Sequence, residues 1–293
     1  MKWCSHVVGP CRLVSDDQRP HGRSGVYRLR MSSGFCYVKI HEEVIGWERE
    51  VHGYEQWAGV FGSSAPEMLA VHPAEPWALL VSELPGQMMG EVQLSVEQEQ
   101  QVWYAAGRAL ANLHDVATGD CFGPCHRDGS PAGIHARDAS EYVSAGFQRL
   151  IDIGVPGGYL SDAELGVVQG ALDMVSAFAG ERPVPCHRDY GPDNWLVTDT
   201  GVWSGVIDFE FSGWDVRVVD VSRYPNWEWI HRPDLLEAFF EGYGRPLTSV
   251  EVLQCLILRC QYALGAIVWG HENAFYGFEE EGRRALKHIA TLA

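Results

Sequence analysis

His187-Arg188-Asp189-Tyr190-Gly191-Pro192-Asp193-Asn194-Trp195-Leu196-Val197 is the stretch on which the reading of this chain turns. It fits H-R-D-x-x-x-x-N followed by an apolar strand. In a phosphoryl-transfer site this spacing sets Asp189 where a carboxylate accepts a hydroxyl proton, and Asn194 where an amide oxygen ligates magnesium. Asp208, in Ile207-Asp208-Phe209-Glu210, supplies the hard anionic oxygen that magnesium prefers. Asn194 to Val197 and Gly205 to Phe209 read as a small hairpin turned at Thr198-Asp199-Thr200-Gly201, with Asp208 on the return strand.

The first element recurs once, as Cys125-His126-Arg127-Asp128 against Cys186-His187-Arg188-Asp189. The earlier copy has Gly133 where the Asn would stand, and no Ile-Asp-Phe strand follows it. A surface His-Arg-Asp can simply make a turn and a salt bridge, so the copy at 126–128 is read as a structural decoy.

Toward the N-terminus, Val26 to Met31 and Phe35 to Ile40 flank Ser32-Ser33-Gly34 and read as a hairpin, which puts Lys39 near a strand end. Glu42 to Ala58 places Val44, Trp47, Val51, Tyr54 and Trp57 at helical spacing among charges, an amphipathic helix. Trp77 to Glu83 reads as a further strand, closed by Leu84-Pro85-Gly86 as a connector. Beyond it, Val96–His114, Ala139–Ile151, Ser161–Ala179, Asp234–Tyr243 and Ser249–Asn273 read as helices, the third opening on a capping box from Ser161 to Glu164.

A length of 293 residues corresponds to about two domains or one two-lobed unit. Lys and Arg number 22 against 39 Asp and Glu, a net charge of −17 that repels phosphate backbones and anionic membranes and concentrates small cations. Nucleic-acid and membrane partners are therefore not expected. The first residues, Met1-Lys2-Trp3-Cys4-Ser5-His6, lack a signal-peptide pattern, and no apolar run approaches the roughly 20 residues that span a bilayer, so a cytoplasmic location is expected. Cys121-x3-Cys125-His126 has no second ligand pair at structural-zinc spacing, although Cys186-His187 can join it through the fold, and no structural metal is expected.

Taken together, the sequence resembles the aminoglycoside phosphotransferase and choline kinase-like family, small-molecule kinases with a protein-kinase-like fold. The resemblance spans nearly the whole chain. It includes Gly213-Trp214-Asp215, Asp220-Val221-Ser222-Arg223 and the helix ending Leu110-Ala111-Asn112-Leu113-His114. The resemblance implies an α+β, bilobal structure, with a small β-rich nucleotide-binding lobe over residues 1–83 and a larger, mainly helical catalytic and acceptor-binding lobe over 84–293. It further implies ATP and Mg2+ as cofactors, with GTP an open alternative, Asp189 as the catalytic carboxylate, and Asn194 and Asp208 as metal ligands. Lys39 matches the strand lysine that contacts the nucleotide phosphates and Glu50 its helix partner, with Glu48 the competing carboxylate. Ser82 and Glu83 join the nucleotide-contacting set, and Asp215, Asp220 and His114 are read as structural.

Two departures stand out. No G-x-G-x-x-G is present, so Ser15 to Gly25, with Gly22, Ser24 and Gly25, is the candidate phosphate cover. Gly191 stands where protein kinases carry a lysine, Glu210 replaces the glycine of D-F-G, and no A-P-E follows, which points to a small acceptor. Candidate acceptor residues are Asp193, Glu210, Trp227, Glu228, Trp229, Trp269, Glu272 and Glu279, because carboxylates pair with ammonium groups and indole faces hold cations. With the net charge they favour a cationic, hydroxylated antibiotic, an aminoglycoside or a basic peptide. Choline, a sugar, an amino-acid alcohol or a macrolide are the alternatives, as is a pseudokinase that binds a ligand without transfer. A monomer or a homodimer is expected.

Overall fold

The structure, a computed structural model, describes residues 2–17, 24–222 and 232–292. Its N-terminal part is built on an antiparallel sheet. Helix α1 (Lys2–Val8) precedes β1 (Arg12–Asp17), β2 (Ser24–Met31) and β3 (Gly34–His41), helix α2 (Val44–Gln56) follows, and β4 (Met68–His72) and β5 (Trp77–Ser82) complete the sheet in the order β1-β2-β3-β5-β4. The expected hairpin forms with Val26 opposite Lys39 and Met31 opposite Gly34. Gly34 turns the chain at φ 137°, a conformation that side chains rarely adopt.

Alternation along β3 sends side chains to two different layers. Cys36 and Val38 pack with Leu29, Leu80 and Cys4 of α1, while the opposite face of the sheet receives α2 through Trp47 and Val51 against Leu79 and Val81. Burying side chains of this size contributes about 1.5–3 kcal/mol each. The Trp47 indole also donates to the Ala78 carbonyl at 3.0 Å, which fixes the helix along its axis.

The remainder is mainly helical, so the architecture is α+β as expected. After the short strand β6 (Gln87–Met88) come α3 (Val96–Asp115), α4 (Ala139–Gly154) and α5 (Asp162–Leu172). Then follow β7 (Val184–Cys186), β8 (Trp195–Val197), β9 (Trp203–Val206), β10 (Gly213–Asp215), α6 (Val219–Ser222), α7 (Pro233–Tyr243), α8 (Ser249–Glu272) and α9 (Tyr276–Ile289). β6, β8 and β9 form one small sheet, and β7 pairs with β10.

Capping boxes at Ser95/Gln98, Ser161/Glu164 and Thr248/Glu251 fix the starts of α3, α5 and α8. The segment read as one helix from Ser161 to Ala179 is broken: α5 ends at Leu172, and a 3-10 turn over Val175–Phe178 carries the fully buried Phe178 into the core. α3 and α7 meet at glycines, since a Cβ on Gly107 would run into the Phe239 carbonyl and one on Gly242 into that of Tyr104. Gly242→Ala is therefore expected to destabilise the protein by about 1–3 kcal/mol, the cost of overpacking, read as a lower urea midpoint with an unchanged slope.

α8 is long and apolar enough to cross a membrane by length and composition, contrary to the expectation that no segment approaches such a span. Glu251, Gln254 and Arg259 interrupt its apolar run, while Ile257, Cys260, Leu264 and Ile267 are buried in the main core. It packs as the central helix of this part of the chain. All eight cysteines are free thiols.

Candidate active site

Three loops are held together by buried polar contacts around residues 187–194. β7 delivers the chain to His187, and at Arg188 the backbone enters the left-handed region, φ 65°, where a side chain is strained. Asp220 holds that geometry by accepting the amides of His187 (3.0 Å) and Arg188, and it also accepts from His114 Nε2 at 3.0 Å. The Arg188 Nε lies 3.0 Å from Asp215, and the Tyr190 hydroxyl donates to the Ala106 carbonyl at 2.8 Å. Asp215, Asp220 and His114 are thus framework residues.

The electrostatics agree. Burial pushes Asp220 up, but the His114 hydrogen bond and charge, with the Arg188 amide, outweigh it and hold the carboxyl below the usual range. Burial pulls His114 down, more than Asp220 raises it. His114 is accordingly neutral near pH 7, donating from Nε2 to Asp220 and accepting the Tyr243 hydroxyl at Nδ1, 2.8 Å away. Asp220→Ala orphans two backbone amides and a buried imidazole together. It is expected to cost about 3–5 kcal/mol, measured as a fall in the urea midpoint.

Within this frame Asp189 is half-buried and Asn194 buried. The Asn194 Nδ2 donates to the Asp189 carbonyl (2.8 Å) and to its Oδ2 (2.9 Å), which orients the carboxylate and leaves Asn194 Oδ1 as an acceptor. The Asn194 carbonyl accepts the Ile207 amide at 3.0 Å, and His187 Nε2 donates to the Ile207 carbonyl at 3.0 Å. These bonds tie the 187–194 loop to Asp208. Asp208 is not on the return strand as expected: β9 ends at Val206, and Asp208 follows at φ 71°, outside the extended region a strand requires.

Lys39 meets this loop from the sheet. Its ammonium lies 2.6 Å from Asp208, 3.0 Å from Glu50 and 3.0 Å from Glu210. Burial pulls Lys39 down, but the three carboxylates outweigh it and hold the ammonium well above the usual lysine range. Burial likewise pushes Asp208 up, and Lys39 more than reverses this. His41 Nε2 sits 2.7 Å from Glu50, and the Ser24 hydroxyl donates to Glu210 at 3.2 Å. One ammonium faces three carboxylates, so the cluster carries excess anionic oxygen. Asn194 Oδ1 and Asp208 are hard oxygen donors of the kind that would suit a magnesium ion.

The sequence profile of the phosphotransferase enzyme family (APH) matches residues 18–253. The chain belongs to that family. Membership makes it a small-molecule phosphotransferase. Compared with curated proteins by sequence, it has no significant match. Its fold is similar to that of aminoglycoside phosphotransferase APH(4)-Ia, with a TM-score of 0.77 at 13% identity over 98% of this chain and 96% of that one. A thermostable mutant of the same protein, in ternary complex with ADP and hygromycin B, matches with a TM-score of 0.74 at 14% identity over 98% and 96%. Macrolide 2'-phosphotransferase MphH from Brachybacterium faecium matches with a TM-score of 0.64 at 16% identity over 97% and 95%.

The phosphotransferase gathers Glu50, Asp208 and Glu210 on Lys39, and ties the Asp189–Asn194 pair to Asp208 through the Ile207 backbone. Glu48 is not the lysine's partner; it pairs with His126. Glu210, read as an acceptor residue, instead has its carboxylate on Lys39 and Ser24. Ser24 and Gly25 open β2 beside this cluster, with the Tyr27 ring packed over Gly25. The Ser82 hydroxyl accepts the Glu67 amide, and one Glu83 carboxylate oxygen accepts from Arg28 Nη2 at 2.6 Å and Nε at 3.0 Å. Asp193 is exposed, its carboxylate over Gly90. Trp269, Glu272 and Glu279 share the α8–α9 corner, where Trp269 packs edge-on against Phe278 and Glu279 pairs with Arg283. Trp227, Glu228 and Trp229 lie outside the described residues. The sequence reading overlooked His41, although its position two residues beyond Lys39 on a strand puts both side chains on one face.

Proposed function

We propose that this phosphotransferase transfers the γ-phosphoryl group of ATP to a hydroxyl of a small cationic molecule, and that an aminoglycoside-type antibiotic is the acceptor class. The observation that carries the reading is Lys39 held among Glu50, Asp208 and Glu210 at the loop that presents Asp189 and Asn194. Lys39 binds phosphate oxygens, Glu50 and His41 aim it, and Asn194 and Asp208 are the residues that would hold magnesium. When bound there, that ion would supply charge neutralisation for the phosphates in an in-line transfer. Asp189, aimed by Asn194 Nδ2, orients the acceptor hydroxyl and takes its proton, so the oxygen attacks as charge moves toward ADP. Positioning and electrostatics supply the rate.

APH(4)-Ia in its complex with ADP and hygromycin B supports the nucleotide and the aminoglycoside class. The net charge of −17 supports a cationic acceptor. The similarity to MphH keeps a macrolide as the second reading. We place the nucleotide-binding lobe at residues 1–83, ending just beyond β5, the catalytic and acceptor-binding lobe at 84–293, and the enzyme in the cytoplasm. The test is magnesium-dependent ADP release from ATP with a panel of aminoglycosides, basic peptide antibiotics, macrolides and choline. Stimulation by an aminoglycoside supports the reading. Stimulation by a macrolide or choline alone replaces the acceptor class, and silence across the panel with ATP bound favours a pseudokinase.

A further inference from the structure

The second His-Arg-Asp, at residues 126–128, has no place in the transfer chemistry, yet it is engaged with the helix that carries Glu50. Residues 48, 52 and 55 of α2 fall at i, i+4 and i+7, one stripe of the helix. Each of them meets the loop. His126 Nδ1 lies 2.7 Å from Glu48, His52 Nδ1 donates to the Arg127 carbonyl at 3.1 Å, and the Arg127 guanidinium forks onto Glu55 at 2.6 and 3.2 Å. Arg127 also stands over the Trp47 ring, 5.7 Å from its centroid. Its guanidinium is raised above the ordinary arginine range by the Glu55 hydrogen bonds. These contacts border a cleft of about 580 Å³ lined by polar side chains, so polar groups make the link on this stripe.

The other end of the loop is anchored to the catalytic frame. Gly123 exchanges backbone hydrogen bonds with Trp214 of β10 at 2.7 and 3.1 Å, and Phe122 and Cys125 are buried in the main core. β10 pairs with β7, which runs directly into His187, and its Asp215 holds Arg188. The chain of contacts therefore runs from Glu48, His52 and Glu55, through residues 123–127, to the strand pair that leads into the loop of Asp189.

We propose that residues 126–127 are an interlobe clasp: His126 and Arg127 hold α2 to the frame of the catalytic loop and so position Glu50, and through it Lys39, for the nucleotide phosphates. Both are positioning residues. The inference rests on the reading of Lys39 as a nucleotide contact. It separates the two His-Arg-Asp copies by role, one facing the reaction and one setting the spacing between the two halves of the site.

The test is calorimetric binding of AMP-PNP with magnesium to the full chain, alongside thermal melting. Arg127→Ala and Glu55→Ala are expected to raise the Kd about three- to tenfold, the range that coupled packing networks transmit. The charge exchange Glu55→Arg with Arg127→Glu is expected to restore binding to within about twofold, because a double-mutant cycle isolates the pair. A fall in Tm with an unchanged Kd, or no rescue by the exchange, overturns the clasp. Should either alanine variant fail to fold, Arg127→Lys, which keeps charge but loses the fork, carries the same test. Lys39→Ala is the control for the underlying reading: if it binds AMP-PNP like wild type, the nucleotide site itself is misplaced and the clasp falls with it.

Discussion

Asp189→Asn is expected to lower the turnover of phosphoryl transfer by about 10²–10⁴-fold, the usual contribution of a positioned general base, while the Kd for ATP changes little. The Asp189 carboxylate is oriented by the Asn194 amide at 2.9 Å, whereas the ion pairs of Lys39 run to Glu50, Asp208 and Glu210. The substitution keeps size and removes the proton acceptor. The backbone frame at Arg188 depends on Asp220 and Asp215, so it persists in the variant. An equal loss of ATP affinity, or unchanged turnover, contradicts the assignment. The separation of turnover from binding is the informative feature, because an interaction used only in the transition state appears there alone.

Lys39→Met is expected to impair nucleotide binding and stability together. Lys39 is only 7% exposed, and its removal leaves Glu50, Asp208 and Glu210 converging on an uncharged thioether. Breaking a buried ion pair from one side costs about 3–5 kcal/mol, since the stranded charge keeps its desolvation penalty. The pH dependence has a definite sign. In the wild type Lys39 holds Asp208 below its ordinary value of 3.8, so this contribution is complete above that value and fades as pH falls through the depressed folded value. The stability gap between wild type and variant is therefore widest near neutrality and narrows on acidification below about pH 4. Urea titrations at several pH values measure it, and a gap that widens in acid contradicts the account.

The chemistry was more legible than the geometry that holds it. His187 to Asn194 and Asp208 are close in sequence, and local spacing places them; Lys39 and Glu50 follow from a strand running into an amphipathic helix. The partners of Glu48 and Glu210 were not legible, because each is decided by a residue far along the chain, His126 and Lys39 respectively. A carboxylate after Asp208 reads equally well as an acceptor contact or as a ligand of Lys39 until the sheet is docked. Ile207-Asp208-Phe209 alternates like a strand, whereas Asp208 stands at φ 71° just after Ile207, whose backbone is bonded to His187 and Asn194. α1 and β1 escaped notice for another reason. α1 buries only Cys4, and Leu13 and Val14 of β1 are exposed, so neither has a periodic apolar face. α9 was overlooked despite its buried Leu286 and Ile289, since the preceding helix pattern runs almost to its start.

Local sequence marks the His-Arg-Asp copy at 126 as lacking the Asn and the second carboxylate. Its engagement with Glu48 and Glu55 is a long-range property, visible only when α2 and the 119–138 segment share a face.

The central claim is that Asp189, aimed by Asn194 beside the Lys39 and Asp208 cluster, transfers phosphate from ATP to an acceptor hydroxyl. Phosphorus NMR of a reaction containing ATP, magnesium and hygromycin B, run with wild type and with Asp189→Asn, tests it most directly. The account predicts a new phosphate monoester resonance on the antibiotic with stoichiometric ADP in the wild type, and its absence in the variant with ATP intact. Release of inorganic phosphate alone, or an ester formed equally well by Asp189→Asn, would contradict it.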